Sequence, residues 1–138
     1  SIGKRAFAYC PGLTEVRLPA GIAVVPEEAF RATNAKTIVL PEGVERIEAG
    51  AFESCKATAI TVPGTVKYIG MRALYSVLLH DVNFNCLSPV MEDQVLYSSK
   101  RLVVQCYLGT TPYQYAKANQ IKVELKQDLP EVIPGTDD

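Results

Sequence analysis

Four pairs of an alanine and a large apolar residue recur along the chain at a spacing of 22 or 23 residues. They are Ala6-Phe7, Ala29-Phe30, Ala51-Phe52 and Ala73-Leu74. A period of this length is typical of solenoids, in which each repeat is one turn whose apolar side is too small to be buried alone. Successive turns therefore stack and bury a continuous core between neighbours.

The repeats carry a second recurring element in which apolar residues alternate with variable ones. Its copies are Val16-Arg17-Leu18-Pro19, Ile38-Val39-Leu40-Pro41, Ile60-Thr61-Val62-Pro63 and the less regular Val82-Asn83-Phe84-Asn85. The alternation predicts a strand with one buried face, and stacked copies predict a parallel ladder. Proline closes three copies because it has no N–H for the ladder. A second short strand at Val44 to Ile47 and its copies, with a helical turn at each Ala-Phe pair, would complete a three-sided coil.

Composition and charge exclude several classes of partner. The 138 residues suffice for one modest domain, and the formal net charge is −1. A nearly neutral chain lacks the positive field that attracts phosphate backbones or anionic membranes, so we expect no nucleic acid partner. No apolar run approaches the roughly 18 residues that indicate a membrane span, so we expect no membrane insertion. We expect a monomer that needs no cofactor and no metal.

The four cysteines are expected to be unbridged thiols. One repeat position is held in successive turns by Cys10, Thr33, Cys55 and Val77. Its two cysteines lie two turns apart, which at a strand spacing of about 4.8 Å is about 10 Å, too far for a disulfide. Cys86 and Cys106 would meet on a diagonal, where a bridge is conceivable but not expected. We interpret all four as buried small apolar side chains.

The end of the chain contains the pattern of a C-terminal cap, which a solenoid needs because its last turn would otherwise expose an apolar face. The segment Thr111-Pro112-Tyr113-Gln114 is typical of a helix start. Threonine would be the N-cap, proline the first helical residue, and glutamine would close a capping box. We expect the helix to end near Ala118 with its apolar face over the last coil. A final strand is predicted over residues 121–125.

The repeat pattern resembles that of a known family. Three stretches carry the likeness: Tyr68-Ile69-Gly70-x-x-Ala73-Leu74, Glu45-Arg46-Ile47-x-x-x-Ala51-Phe52-x-x-Cys55 and Ile60-Thr61-Val62-Pro63. They are similar to the BspA-like leucine-rich repeat, roughly I-G-x-x-A-F-x-x-C-x-x-L-x-x-V-x-L-P-x-x-V, and the likeness covers about the first 86 residues. Ala35 and Ala57 stand where that family usually has leucine, which thins two core layers. The resemblance implies a bacterial secreted or surface-attached protein of adhesive or host-interacting type, and it carries over no catalytic residues.

These observations predict a right-handed, β-rich leucine-rich-repeat solenoid of about five turns, with a parallel β ladder and short helical turns. The domain is expected to span residues 1–125, with regular repeats at 1–86 and an atypical last turn and C-terminal cap at 87–125. Residues 126–138 are expected to form a flexible acidic tail. Because Ser1-Ile2-Gly3 matches the Ile-Gly of a later turn, the first turn lacks its upstream strand. We expect the chain to be an excised fragment or the remnant of a longer array.

The outward surface of the ladder is the best candidate for a binding site. In a strand with one buried face the intervening residues point outward, and solenoids commonly bind through such surfaces. On four ladder strands these outward positions form two lateral columns: Glu15, Arg17, Thr37, Val39, Ala59, Thr61, Asp81 and Asn83. We name this surface the ladder face. The candidate ligand-binding residues on it are Glu15, Arg17, Thr37, Val39, Thr61, Asp81 and Asn83. Their expected partner is an extracellular protein or glycan.

Two other interpretations remain open. The chain could be a purely structural C-terminal stretch and cap of a longer repeat protein, with the ladder face merely solvated. A hydrolase-type enzyme is least favoured, since His80 is the single histidine and Asp81 beside it should point to the opposite side of a strand. The sequence has no Gly-rich phosphate loop, metalloprotease motif or paired-cysteine zinc spacing. We therefore expect a non-enzymatic recognition module that is secreted or held at the cell surface.

Overall fold

The computed structural model describes residues 2–127, which form a stack of parallel β coils closed by a helix. The elements in chain order are β1 (Glu15–Arg17), β2 (Val24–Val25), β3 (Thr37–Val39), β4 (Arg46–Ile47), β5 (Ala59–Val62), β6 (Tyr68–Ile69), β7 (Asp81–Phe84), β8 (Val90–Met91), β9 (Val103–Cys106), α1 (Thr111–Ala118) and β10 (Lys122–Leu125). The odd-numbered strands and β10 lie along the ladder, and the other strands form a second sheet in the order β2-β4-β6-β8. The predicted leucine-rich-repeat solenoid of about five turns is confirmed.

The period of the sequence is also the pairing register of the strands. Val16 lies beside Ile38 in one parallel pair, and Ile60 lies beside Val82 in another, which is a shift of 22 residues in both. In β1 and β3 the central residue is buried and its two neighbours are exposed. The same repeat therefore fixes both which strands are neighbours and which side chains enter the core.

Aromatic rings stack through the first three turns of the core. The ring centroids of Phe7 and Phe30 are 5.5 Å apart, those of Phe30 and Phe52 are 5.3 Å apart, and the planes are nearly parallel. Phe52 is fully buried, whereas 42% of Phe7 is exposed. The first member of this predicted inward column is therefore not buried, because among residues 2–127 no further turn packs on the outer side of its ring.

The Ala-Phe segments are not helical, which corrects the prediction of a helical turn. They are tight turns, in which Ala29 N donates to Pro26 O at 3.2 Å. Glu28 takes a left-handed backbone conformation with φ of 54°, and equivalent residues of later turns do the same. A left-handed residue interrupts the run of dihedrals that an α-helix needs. The backbone bonds to the next turn instead, as Phe30 N does to Ala51 O at 2.9 Å.

One core position shifts by a residue in the fourth turn. The repeat pattern assigned Val77 to the column of Cys55, but 65% of Val77 is exposed. Ser76 occupies that position, and its hydroxyl donates to Cys55 O at 2.8 Å. A buried carbonyl needs a donor, which serine supplies and valine cannot. Leu79 is buried again, so the shift is confined to this corner.

Helix α1 and its N-cap both begin one residue earlier than predicted. The N-cap is Thr110, whose hydroxyl oxygen accepts a hydrogen bond from Tyr113 N at 3.3 Å. Thr111, the predicted N-cap, instead donates its hydroxyl to Pro89 O at 2.6 Å, which ties the helix to the preceding turn. Gln114 is then one position too far along to close a capping box.

The helix covers the last turn as predicted. Pro112 and Ala116 are buried on its inner face. Tyr115 is half-buried, and its hydroxyl oxygen accepts from Leu96 N at 3.1 Å. Burial raises the pKa of the Tyr115 phenol above its ordinary value, while the hydrogen bond from Leu96 N acts in the opposite direction. Helix α1 thus covers the apolar end of the stack, and it also supplies a hydrogen-bond acceptor for the Leu96 N–H group.

Replacing Thr110 by alanine should lower the free energy of unfolding by about 1 kcal/mol, because the first turn of α1 loses its side-chain acceptor. Thr110→Ser, which keeps the hydroxyl, should remain close to the parent chain. Chemical denaturation of both variants, followed by circular dichroism, tests this. An equal loss in the serine variant would contradict the capping role.

The predicted acidic tail, residues 126–138, lies outside the described residues from position 128 onward. Lys126 is described and is held against the ladder. Its backbone N donates to Cys106 O at 2.9 Å, and its ammonium lies 4.9 Å from the centre of the Tyr107 ring. The contacts of the last ladder strand therefore continue one residue past β10.

Candidate binding face

The ladder is divided between its second and third strands. β1 pairs with β3, while β5, β7, β9 and β10 form a separate four-stranded sheet, although β3 and β5 lie side by side. The sequence predicts one continuous ladder, so this division is a correction. It lies between the two turns that carry Ala35 and Ala57 in place of the leucines of other turns. Both alanines are fully buried.

Missing hydrogen bonds at the start of the strands indicate the same division. Lys36 N donates to Thr14 O at 2.9 Å where β3 follows β1, and His80 N donates to Thr58 O at 3.0 Å where β7 follows β5. The equivalent bond from Thr58 N to Lys36 O is not formed within residues 2–127.

The other end of these strands behaves in the same way. Leu18 N donates to Val39 O at 3.2 Å, which continues the pairing of β1 with β3. In the part of the chain that the structure describes, Leu40 N makes no equivalent bond to Thr61 O. The division therefore leaves polar backbone groups at both ends without a ladder partner.

A depression of about 400 Å³ opens on the ladder face over this division. It is lined by Ile38, Val39, Leu40, Ala59, Ile60, Thr61, Asp81, Asn83 and Gln105. One wall comes from β3 and its end, the opposite side comes from β5, and polar side chains of β7 and β9 extend it along the sheet. The lining thus combines apolar groups with one carboxylate and two side-chain amides.

Four of the seven candidate ligand-binding residues line this depression: Val39, Thr61, Asp81 and Asn83. Thr37 is exposed on β3 but lies outside the lining. Glu15 and Arg17 are exposed on β1, away from the depression, and form an ion pair with each other. The structure thus brings together the middle of the predicted face and leaves its first strand separate. The binding role of all seven residues stays a prediction.

The sequence analysis missed two residues that contribute to this part of the ladder face. Gln105 lines the depression and lies beside Asn83 in the register of β7 with β9; the repeat period alone could have found it. Lys126 donates from its ammonium to the side-chain oxygens of Asn83, at 2.7 Å, and of Asn85. Because the Asn83 oxygen is already used, its NH₂ group is what it can offer to a partner.

His80 and Asp81 contribute to a second, smaller depression of about 140 Å³ farther along the same face. The sequence placed their side chains on opposite sides of the strand, yet both line it together with Arg101 and Glu124. The His80 backbone belongs to the ladder, since its carbonyl accepts from Val103 N at 2.9 Å. This shallow surface holds one imidazole among charged groups.

The cysteine thiols are free, as predicted. Burial raises the pKa of the Cys55 and Cys106 thiols and raises that of Cys86 to about 12. A thiolate is the reactive form, so these three groups are poor nucleophiles at neutral pH. Cys10 is half-buried rather than buried. Among residues 2–127, no group of three or more His, Cys, Asp or Glu side chains is arranged to hold a metal ion.

Charged side chains at the corner of the Ala-Phe turns pair with one another. Glu28 bonds to Arg5 and lies 3.2 Å from Arg31, while Glu53 lies 3.6 Å from Arg31 and 3.5 Å from Arg72. The hydrogen bond from Arg5 holds the pKa of Glu28 below its ordinary value. Any stability from that shift is present at neutral pH and is lost as pH falls through the lowered pKa. This corner neutralises its own charges.

Comparison with known proteins identifies the repeat. A family model described as a BspA type leucine rich repeat region, in six copies, matches residues 1–106. No curated protein and no solved structure gives a significant match. No helix among residues 2–127 has the length and apolar character needed to cross a membrane. This family model covers residues 1–106, which is most of the 138-residue chain. The chain therefore belongs to the BspA-type leucine-rich repeat family.

Proposed function

We propose that the chain is a non-enzymatic recognition module that binds a protein partner at the depression over the ladder division. The carrying observation is that this depression gathers four of the seven candidate ligand-binding residues around unpaired strand ends. Polar backbone groups that lack a ladder partner and lie beside apolar side chains can accept a partner segment through main-chain hydrogen bonds. The depression is shallow and built on strands, which suits a side chain or turn of a protein.

A protein partner fits the lining better than a glycan does. None of the nine lining residues is aromatic, whereas sugar-binding sites commonly present flat rings. Val39 and the apolar groups around it can bury a partner's side chain, while Asp81 and the Asn83 NH₂ group can fix its orientation. The partner most compatible with this pattern has an apolar side chain flanked by a hydrogen-bond donor for Asp81 and an acceptor for the Asn83 NH₂ group.

An extracellular setting is part of the proposal. The family resemblance implies secreted or surface-attached proteins of adhesive type, and such proteins meet host matrix proteins. We accordingly place the activity of this chain outside the cell, with adhesion or host contact as its result.

Binding of the purified chain to immobilised fibronectin, fibrillar collagen and laminin, with a mammalian glycan array in parallel, tests the proposal. Val39→Arg and Thr61→Arg should reduce any saturable protein binding at least about tenfold, because a long cation would fill the depression. Val24→Arg is the matched control, since Val24 is 41% exposed and Val39 is 39% exposed, both on strands. The control should bind like the parent chain, and all variants should melt like it.

Three other outcomes would redirect the interpretation. Binding to glycans alone would replace the protein partner. Equal loss in Val24→Arg would move the site away from the depression. A folded parent chain that binds nothing would favour the structural alternative, in which helix α1 closes the stack and the repeats serve as scaffold.

A further inference from the structure

The corner that carries the Ala-Phe turns changes its chemistry toward the C-terminal end. Arg31 and Glu53 occupy one position of this corner in the second and third turns, where they pair with other charged groups. The period of 22 residues puts Tyr75 and Tyr97 at the same position of the next two turns. Side chains that neutralise one another are therefore followed by two neighbouring phenol rings.

A depression of about 340 Å³ opens at this corner, between the last two turns and helix α1. We name it the tyrosine cleft, and its lining includes Tyr75, Gln94, Tyr97, Tyr115 and Asn119. The ring centroids of Tyr75 and Tyr97 are 5.4 Å apart and their planes stand at 85°, so the two rings form a right-angled wall. Small-molecule sites commonly have volumes of roughly 300–1,000 Å³ and are lined by apolar or aromatic groups with a few polar ones.

Internal hydrogen bonds fix the orientation of both amides in the tyrosine cleft. Arg72 Nε donates to Gln94 Oε1 at 3.1 Å. Because a guanidinium can only donate, the oxygen of Gln94 must face it, and the Gln94 NH₂ group is left to donate elsewhere. Asn119 Nδ2 donates to the backbone oxygen of Tyr115 at 2.8 Å, which leaves Asn119 Oδ1 as an acceptor. The tyrosine cleft thus presents one donor and one acceptor beside aromatic rings.

We propose that the tyrosine cleft binds an uncharged sugar residue of a glycan. The C–H groups of a pyranose ring can pack on a phenol ring, while each of its hydroxyls can both donate and accept. The Gln94 NH₂ group can donate to one hydroxyl oxygen, and the Asn119 oxygen can accept from another hydroxyl. Tyr97 supplies the more accessible ring, since it is exposed whereas Tyr75 is half-buried.

The charges around the tyrosine cleft favour a neutral sugar over an acidic one. No charged side chain lines it in the part of the chain that the structure describes. The nearby Arg72 is already engaged, because its guanidinium lies 4.6 Å from the centre of the Tyr75 ring and 3.5 Å from the Glu53 carboxylate. A sugar carboxylate would enter without a partner for its charge, which is unfavourable.

A proline-rich peptide is the other ligand that aromatic-lined grooves commonly bind. Such a peptide offers carbonyl acceptors, but its prolines have no N–H to donate. The Asn119 oxygen would then lose water without gaining a donor. A sugar hydroxyl can donate to this oxygen, so the tyrosine cleft matches a sugar better than a proline-rich segment.

Serum albumin conjugates that carry terminal β-galactose, α-mannose or β-N-acetylglucosamine test the proposal. By biolayer interferometry, at least one of them should bind the chain saturably, whereas unmodified albumin and a sialic acid conjugate should not bind. The chain has seven tyrosines and no tryptophan, so its intrinsic emission comes from tyrosine. Titration with the methyl glycoside of the bound sugar should change this emission, which gives a second readout.

Two variants locate the bound sugar. Tyr97→Ala removes the exposed ring and should raise the dissociation constant about tenfold. Gln94→Glu keeps an oxygen for Arg72 but replaces the NH₂ donor, and it should weaken binding by a similar factor. Tyr97→Phe keeps the ring and should bind like the parent chain. Tyr9→Ala is the matched control, because Tyr9 is an exposed tyrosine of the first turn, and it should also bind like the parent chain.

The remaining outcomes overturn the proposal. A chain that binds no neutral conjugate has no such site, and binding of the sialic acid conjugate or of a decaproline peptide alone would mean a different class of ligand. Sugar binding that survives both Tyr97→Ala and Gln94→Glu, or that Tyr9→Ala weakens equally, would lie elsewhere. Circular dichroism checks that each variant is folded.

This inference is independent of the proposed protein site. The tyrosine cleft shares no lining residue with the depression over the ladder division. Val39→Arg should therefore leave sugar binding unchanged, and Tyr97→Ala should leave binding to matrix proteins unchanged. Loss of sugar binding in Val39→Arg would contradict the assignment to the tyrosine cleft.

Discussion

Replacing Phe52 by alanine should lower the free energy of unfolding by about 3–5 kcal/mol. The ring is fully buried and stacks on Phe30 in the middle of the array. Its removal loses the transfer free energy of the side chain and leaves a cavity between two turns. The turns on both sides of Phe52 are held in place by backbone hydrogen bonds. The cavity therefore cannot collapse fully. Urea denaturation, monitored by circular dichroism, measures the loss.

The matched control is Phe7→Ala. Phe7 belongs to the same column and stacks on Phe30, but 42% of it is exposed. Removing the Phe7 ring should lower the free energy of unfolding clearly less than removing the Phe52 ring. Folding buries less apolar area of Phe7, and the space that its ring leaves is open to solvent. Equal losses for the two variants, or a near-parental melting curve for Phe52→Ala, would contradict the assigned columns.

Gly70→Ala should destabilise the chain by about 1–3 kcal/mol or more, through overpacking against a neighbouring turn. A Cβ at Gly70 would lie 2.5 Å from Ala49 N and 2.9 Å from Ala49 Cα. These are backbone atoms, so they cannot turn aside as a flexible side chain would. Gly70 N also donates to Ile47 O at 2.8 Å, which holds the two turns at this separation. Thermal unfolding is the measurement.

Two other glycines serve as controls for this steric explanation. A Cβ at Gly3, the equivalent position of the first turn, would meet nothing within 4 Å, and one at Gly64 would lie 3.5 Å from the nearest atom, Asn85 O. Neither substitution should lower stability, and each could raise it slightly because alanine restricts the unfolded chain. A loss at Gly64 as large as at Gly70 would point to a backbone effect instead of close approach.

The period predicts much of this fold because one register serves every turn. Once Phe30 and Phe52 are equivalent, the neighbours of Val16 and Ile60 in the ladder follow by addition of 22 residues. The same arithmetic places Thr61 and Asn83 on one outward surface. The position of the cap also follows from local chemistry, although of two adjacent threonines the sequence indicated Thr111 as the N-cap and the structure has Thr110.

The division of the ladder and the shape of the corners could not be predicted in this way. Ala35 and Ala57 indicate a thinner core in two turns. Whether the neighbouring strands then move together or separate depends on the packing of all the other inward-facing positions of the repeat. Glu28 and Ser54 adopt left-handed conformations at φ of 54° and 62°. Such angles favour glycine in a sequence pattern, so these residues gave no local signal and a helical turn was predicted instead.

Amide hydrogen exchange at Thr58 and Leu40 tests most directly whether the ladder is broken beneath the candidate site. In a broken ladder these two amides exchange at least about tenfold faster than those of Lys36, Leu18 and His80, which occupy equivalent positions with a ladder acceptor. Equal protection of Thr58 and His80 would mean that β3 and β5 are paired in solution. The depression would then lack its exposed strand ends, and the proposed binding face would lose its basis.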